Sequence, residues 1–456
     1  MSKEKGHFIK DSENIAFDKR HRATIKFNMS KYDAAVDRGK KRYSNLDLAK
    51  ERASYIKSKV INNLADYLIE FEKNSQANGT EVIWAEDANE AILSVQQILK
   101  DNEAKLLVKS KSMTTEEIDL NEHVEAVGVE SLETDLGEYI VQIAGEKPYH
   151  IVTPAMHKSK EDIADLFHEK FDTPEKSTPE YLTGFVRGLL RNKFTKADIG
   201  VTGANFLIAD KGAIALTENE GNAMMTFSFP KIHIVIAGIE KVVPSMTDLG
   251  LMWPLLAAHG TGQQITVYNS IVSGPRRQEE QDGPEKMYVI LLDNKRTELY
   301  QQDDQFEALK CIRCGACLNA CPIYRNVGGY TYDATYSGPI GSIITPFLKG
   351  FSEYNHLSSA CSVCGKCTEV CPVKIPLHNM LLYNRRDAVK NGDSPLSWNI
   401  GMKAFEYAFM KRKRLDLVNG TTKNKLGNLN KDAMGDKKSL PTFARESFSQ
   451  QWKNKR

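Results

Sequence analysis

The sequence predicts an α/β domain with a mixed central sheet flanked by helices, followed by an α-helical module built around cysteines. Three observations carry that expectation. Apolar runs of strand length alternate with segments of helical period between about residues 50 and 295. Strand signals stop after Asn294. All eight cysteines lie between residues 311 and 371.

Taken in order, residues 1–45 form a polar, Lys/Arg-rich N-terminal extension without a clear period. The α/β domain spans 46–295. It opens on a helix with Val60, Leu64, Leu68 and Phe71 on one face, which Asn78-Gly79 ends. Val82–Ala85, the helix bearing Ala91, Ile92, Val95 and Ile98, and Lys105–Lys109 then read as strand, helix, strand, the pattern of a parallel βαβ unit. Tyr139–Ile143 and His150–Val152 read as strands, and Lys160–Phe171 and Tyr181–Lys193 as helices. Ile199–Asn205 reads as a glycine-punctuated turn. Phe206–Ala209 and Ala213–Thr217 flank a hairpin turn at Asp210-Lys211-Gly212. Ile232–Ala237 is the most apolar strand, and Ile265–Tyr268 another. Residues 296–395 form the cysteine module, helical at Ile340–Leu348, and 396–456 a helix (Trp398–Phe409) and a basic tail.

Composition is that of an ordinary soluble protein: 456 residues, 41% hydrophobic, 26% charged, net charge +2. That balance gives no case for a nucleic-acid partner. The charged start has no apolar core of a secretory signal, and no run approaches a transmembrane segment. A cytoplasmic location is expected, where thiols stay reduced and disulfides are not the default use of eight cysteines. Residues 401–456 hold 14 Lys/Arg against 5 Asp/Glu, a balance of +9, with Lys411-Arg412-Lys413-Arg414. This is read as a solvated, partly disordered tail, or a docking surface for an acidic partner.

The cysteines carry the chemistry. Cys311, Cys314, Cys317 and Cys321-Pro322 form C-x2-C-x2-C-x3-C-P, and Cys361, Cys364, Cys367 and Cys371-Pro372 repeat it with identical gaps. Two-residue gaps let a tight loop wrap thiolates round three corners of a cubane, so two [4Fe–4S] clusters are predicted. Structural zinc sites use C-x2-C pairs across a long loop rather than three cysteines in one run. In two-cluster ferredoxins the fourth cysteine serves the other cluster. By that rule Cys311, Cys314, Cys317 and Cys371 hold one cluster, and Cys361, Cys364, Cys367 and Cys321 the second. Lys310, Arg313, Lys366 and Lys374 flank the cysteines, and positive charge there favours the reduced state. The 39 residues between Cys321 and Cys361 make the module resemble the α-helical ferredoxin of succinate- and fumarate-type dehydrogenases.

In the α/β domain the candidates are weaker. Gly200, Thr202, Gly203 and Asn205 sit in a turn able to hold an anion or a partner through backbone N–H groups. It is neither a Walker loop nor a G-x-G-x-x-G fingerprint. Glu218 and Glu220 follow an apolar strand, where open sheets place ligand groups, and could act as a base. The alternatives are a plain tight turn and an ordinary acidic loop. His259, in a loop His259-Gly260-Thr261-Gly262, is the third catalytic candidate. His233 reads as a core histidine, and His150 and His157 as isolated ones.

Ser112–Ile118, Glu133–Glu138, Gly200–Asn205, Thr217–Asn222 and Ser273–Arg276 resemble the LUD (lactate utilisation) domain. With two cysteine runs and a basic tail behind them, the chain is similar to the lactate utilisation protein B family. The resemblance implies a fold like that of ribose-5-phosphate isomerase, glucosamine-6-phosphate deaminase and CoA transferases. It implies a role in oxidising L-lactate to pyruvate beside two partners, a cysteine-rich redox subunit and a shorter LUD-domain subunit, with this chain a non-catalytic electron carrier. The alternatives are that the LUD domain itself binds and oxidises a 2-hydroxy acid, or that the chain serves another organic-acid or amino-acid dehydrogenase. No flavin or nicotinamide fingerprint is visible, so the centre that breaks the C–H bond is expected in a partner.

Overall fold

Six apolar runs pair side by side, all parallel, into one sheet: β1 (Glu81–Ala85), β2 (Leu106–Lys109), β3 (Glu130–Glu133), β4 (Ile199–Thr202), β7 (Ile232–Gly238) and β10 (Lys286–Leu292), in the order β1-β10-β7-β4-β2-β3. β7 is buried along its whole length, as expected of a parallel strand covered on both faces. The antiparallel pairings belong to a second sheet of four strands, β8-β5-β6-β9. There β5 (Phe206–Ile208) and β6 (Ala213–Glu218) form the expected hairpin, β6 pairs with β9 (Tyr268–Val272), and β5 runs parallel to β8 (Val242–Val243). The mixed character of the domain therefore arises from two sheets, one purely parallel.

The computed structural model describes residues 2–393, 396–428 and 441–455, in two compact units, 1–387 and 388–456. The cysteine module lies within the first unit and shares one hydrophobic core with the α/β domain: Leu309, Ile312, Leu318, Tyr324 and Ile340 belong to the same buried cluster as Val235, Leu249 and Met252. The second unit contains the helix Leu396–Phe409 and the short helices Arg412–Asp416, Gly420–Asn428 and Phe448–Asn454. Residues 429–440 of the basic tail lie outside the described residues. Among the described residues no helix is long and apolar enough to cross a membrane.

Several local expectations need correction. The N-terminal extension is two helices, Lys3–Phe17 and Lys19–Lys40, joined at Asp18, whose carboxylate caps the second. Only Ile25, Met29, Val36 and Gly39 of that second helix are buried, a stripe too sparse to show as a period. Tyr139–Ile143 belongs to a helix, Leu136–Ile143, started by Asp135, which accepts the Glu138 N–H at 3.0 Å. Five apolar residues fit either state, and the cap decides. His150–Val152 is a bend, not a strand, in which His150 Nδ1 accepts the N–H groups of Val152 and Thr153 at 3.0 and 3.2 Å. Ile199–Thr202 is strand rather than turn, β9 begins at Tyr268, and β10 carried no expectation.

The parallel strands deliver their carboxyl ends to one edge, where open sheets hold ligands. The cysteine module covers that edge. Arg313 meets Glu240, which follows β7, and the Tyr336 hydroxyl donates to Glu117, which follows β2, at 2.7 Å.

Candidate metal centres

The two cysteine runs fold as near-copies. In each, the residue before the second cysteine is left-handed (Arg313 φ 60°, Val363 φ 55°) and its N–H donates to the first cysteine's Sγ at 3.4 and 3.3 Å. A β-branched valine is costly in that region, which marks the conformation as required by the sulfur contact. Gly315 and Gly365, both at φ 76°, then start one-turn helices, Ala316–Ala320 and Lys366–Val370, and Cys321 and Cys371 leave them extended. Pro322 opens the next helix, Pro322–Val327.

The eight cysteines are free thiols, and they sort into two groups. Cys311, Cys314, Cys317 and Cys371 line one pocket, and the Cys317 thiol interacts with the other three. Cys321, taken from the first run, instead interacts with Cys361 and Cys364, and Cys367 with Cys361, Cys321 and Cys364. Each group thus has three members of one run and the fourth of the other. Burial, then the neighbouring thiols, push Cys314 and Cys317 far up, while burial raises Cys367 to about 12 and Cys371 to about 11. Such groups become thiolates only beside compensating positive charge, as bound iron supplies.

The first group is backed by a buried ionic network. Arg296 donates through Nε to Glu240 (2.6 Å) and through Nη1 and Nη2 to Glu117 (2.9 and 2.8 Å). Arg313 Nη2 reaches the other Glu240 oxygen at 3.2 Å, and its guanidinium lies 4.4 Å from the Tyr336 ring centroid. Burial opposes ionisation of Glu240, but Arg296, Arg313 and Lys241 outweigh it and hold the carboxyl at about 2. Lys57 donates to the carbonyls of Glu240 (2.7 Å) and Val242 (3.2 Å); burial lowers it to about 7, and burial with Arg313 lowers Lys241 to about 8. Buried lysines driven towards neutrality mark a positive pocket short of negative charge. An anionic cluster–thiolate group beside Cys311 fits that pocket.

Of the α/β candidates, Gly200, Thr202, Gly203, Asn205, Glu218 and His259 occupy packed or hydrogen-bonded positions, and Glu220 lines a cavity. A Cβ at Gly200 would lie 1.9 Å from the Thr226 carbonyl oxygen, and one at Gly203 2.6 Å from Ser112 Oγ. Both glycines are set by close packing. Thr202 Oγ1 is buried 2.8 Å from His233 Nε2, and Asn205 Oδ1 accepts the Thr217 N–H at 2.9 Å. Glu218 accepts the N–H groups of Ala223 and Met224 at 2.7 and 2.8 Å, starting the helix Asn222–Ser228. Glu220 accepts from Leu136 N–H at 3.2 Å; burial and then Asp135 raise it to about 7. It lines a cavity of about 640 Å³ with Leu190, Phe194 and Met225. His259 is not in a flexible loop. It is buried near the end of the helix Leu249–Gly260, donating through Nδ1 to the Leu255 carbonyl at 2.8 Å, and burial lowers it to about 3.

Charges that sequence reasoning did not single out gather at the ends of β2 and β3. Lys109 is buried between Glu116 (2.8 Å) and Glu133 (2.6 Å). Beside them Lys111 Nζ and Glu138 Oε1 lie 3.9 Å apart, each buried without a hydrogen-bond partner. Glu116, Glu117, Glu133 and Glu138 fall inside the two motifs quoted for the LUD resemblance, which was the available signal.

Residues 68–292 match the LUD domain family and residues 307–375 the 4Fe-4S dicluster domain. "Lactate utilization protein B" of Bacillus velezensis is 45% identical over 358 residues, covering 78% of this chain and 75% of that protein. The protein of the same name from Bacillus pumilus is 44% identical over 363 residues, 79% of this chain and 76% of its own. A solved structure of a DUF162 family protein from Deinococcus radiodurans covers 50% of this chain and 98% of its own at 15% identity and a TM-score of 0.29, a likeness too loose to argue from. The dicluster match and the eight free cysteines together describe an iron–sulfur protein.

Proposed function

The chain belongs to the lactate utilization protein B family, and on that premise we propose that it is the iron–sulfur electron-transfer subunit of a cytoplasmic complex oxidising L-lactate to pyruvate. Cys311, Cys314, Cys317 and Cys371 would hold one [4Fe–4S] cluster and Cys361, Cys364, Cys367 and Cys321 the other. The sorting of eight thiols into two sets, each completed by the other run, is the observation that carries this reading. A bound cluster takes up and returns one electron at a time, so two match the electron pair released when lactate becomes pyruvate.

The chain's own residues account for the rest. Backbone N–H groups of Arg313, Val363 and Ile375 turn towards the sulfurs of Cys311, Cys361 and Cys371 (3.4, 3.3 and 3.4 Å), stabilising negative charge on them. The ionic network holds the first loop against the sheet edge through Arg313 and Glu240. C–H cleavage falls to a partner, and the cysteine-rich and shorter LUD-domain subunits are the proposed ones. Purified full-length protein should take up electrons from dithionite and reduce no dye with lactate alone. Turnover by the isolated chain would sink the assignment. Cys314→Ser should remove the electron paramagnetic resonance signal of one reduced cluster, and an unchanged spectrum breaks the ligand set.

One observation favours a second reading, in which the LUD domain itself binds a 2-hydroxy acid. Lys111 Nζ and Glu138 Oε1 lie 3.9 Å apart at the sheet edge with no hydrogen bond to either atom, and burial raises the Glu138 carboxyl well above its usual range. An ammonium and a protonated carboxyl suit a carboxylate and an adjacent hydroxyl. This reading predicts calorimetric binding of L-lactate that Lys111→Met abolishes; no heat at millimolar lactate leaves the domain as a scaffold.

A further inference from the structure

We propose that Lys57 and Lys241, together with Arg313, make the first cysteine set (Cys311, Cys314, Cys317, Cys371) the higher-potential centre, the one on which an electron rests. The inference depends on the reading of both sets as [4Fe–4S] ligands.

The argument is one of charge and shelter. Behind the first loop, among the described residues, Lys57, Lys241, Arg296 and Arg313 gather around two buried carboxylates, Glu117 and Glu240, so with both lysines protonated, as negative charge beside Cys311 favours, the cations outnumber the anions by two. Arg296 takes three of the four carboxylate oxygens in part or whole, and Arg313 takes the last. Lys57 is left with two backbone carbonyls, and Lys241 has no ion pair among the described residues. The charges of Lys57, Lys241 and Arg313 all act on Cys311. Two further lysines add to them, Lys40 acting on Cys314 and Lys50 on Cys371.

The second loop lacks this backing. Lys366 is half-exposed and paired with Glu369 at 2.8 Å, where water and salt screen it. Arg385 reaches the carbonyls of Cys361 and Ser358, and buried Lys50 donates to the Glu369 carbonyl at 2.8 Å, so each of these cations meets the second loop through a backbone carbonyl. Reduction adds a negative charge, which nearby cations favour and burial opposes. Stripped of its lysines, the first centre would be the harder of the two to reduce. The lysines reverse that order, and the surface centre is left to pass electrons on to it.

Potentiometric titration of the fully loaded, full-length chain, followed by electron paramagnetic resonance, tests this. Cys364→Ala, in the exposed loop, identifies the second centre's signal by its loss. In the unaltered chain the first centre should become reduced at the higher potential. Lys241→Met should lower that potential alone, Lys241→Arg should retain it, and Lys57→Met combined with Lys241→Met should invert the order of the two centres. A merely structural role for Lys241 would not separate Met from Arg. Equal shifts of both centres, no shift, or a higher-potential second centre in the unaltered chain each overturn the proposal. Where Lys57→Met fails to fold, the Lys241 pair decides. A chain that loads no iron, or takes no electrons from dithionite, counts instead against the electron-carrier reading.

Discussion

The loops 311–321 and 361–371 share a spacing, a pair of left-handed residues and a capping glycine, yet they live in different surroundings. Around the first, Cys314, Gly315, Ala316 and Cys317 are all buried; in the second, Ser362, Cys364 and Lys366 are exposed. A Cβ on Gly315 would meet Val152 Cγ2 at 3.0 Å and His150 Cε1 at 3.4 Å, whereas one on Gly365 would meet nothing within 4 Å. Metal-binding geometry is therefore a local property of the repeat, while shelter and charge are conferred by what the fold lays against it. Two identical motifs become two different devices.

The contrast can be broken in graded steps. Arg296→Met should have the largest effect, because it strands Glu117 as a buried carboxylate without an ion pair and leaves Glu240 with Arg313 as its remaining ion-pair partner. A loss of about 3–5 kcal/mol is expected, read from urea midpoints, while Lys366→Met beside the second loop should leave the midpoint unmoved. Next come the paired glycines. Both pay the left-handed backbone penalty as alanine, but only Gly315→Ala also overpacks, so we expect roughly 2–4 kcal/mol there against about 1 for Gly365→Ala. Equal losses would show that the surroundings do not matter.

The smallest effect is a pH dependence. In the iron-free chain Lys57 titrates near 7 when folded and near 10.5 when unfolded. Between those values the unfolded chain binds more protons, so stability rises with pH, by roughly 2 kcal/mol from pH 7 to 9. Lys57→Met should flatten that slope. Iron loading should flatten it too, since negative charge beside Cys311 draws the lysine's titration back upwards.

What could be read beforehand follows the same division. The two cysteine runs were legible because three cysteines in seven residues are a local pattern written in spacing. The hairpin β5–β6 and the strand β7 were legible for a similar reason, turn chemistry and an apolar stretch broken only by His233. Glu240, Arg296, Lys57 and Lys241 were not. A charged residue on a helix or after a strand looks solvated in sequence, and only tertiary packing buries it. The helix Leu136–Ile143 was misread because its cap, Asp135, lies outside the apolar run, and the helix Lys19–Lys40 because so few of its residues are buried. Gly260 and Gly262 give the His259 segment the look of a loop in sequence, although the helix runs through to Gly260.

The proposed exchange of fourth cysteines has a consequence for biosynthesis. Cys371 emerges from the ribosome 60 residues after Cys311, and until it does the first set stands at three sulfurs, with Cys321 waiting for a loop not yet made. Neither site can be finished during translation while the other is missing. Maturation should be concerted and late, after the whole module has closed, and a chain ending before Cys361 should mature as an empty protein rather than one carrying half its iron.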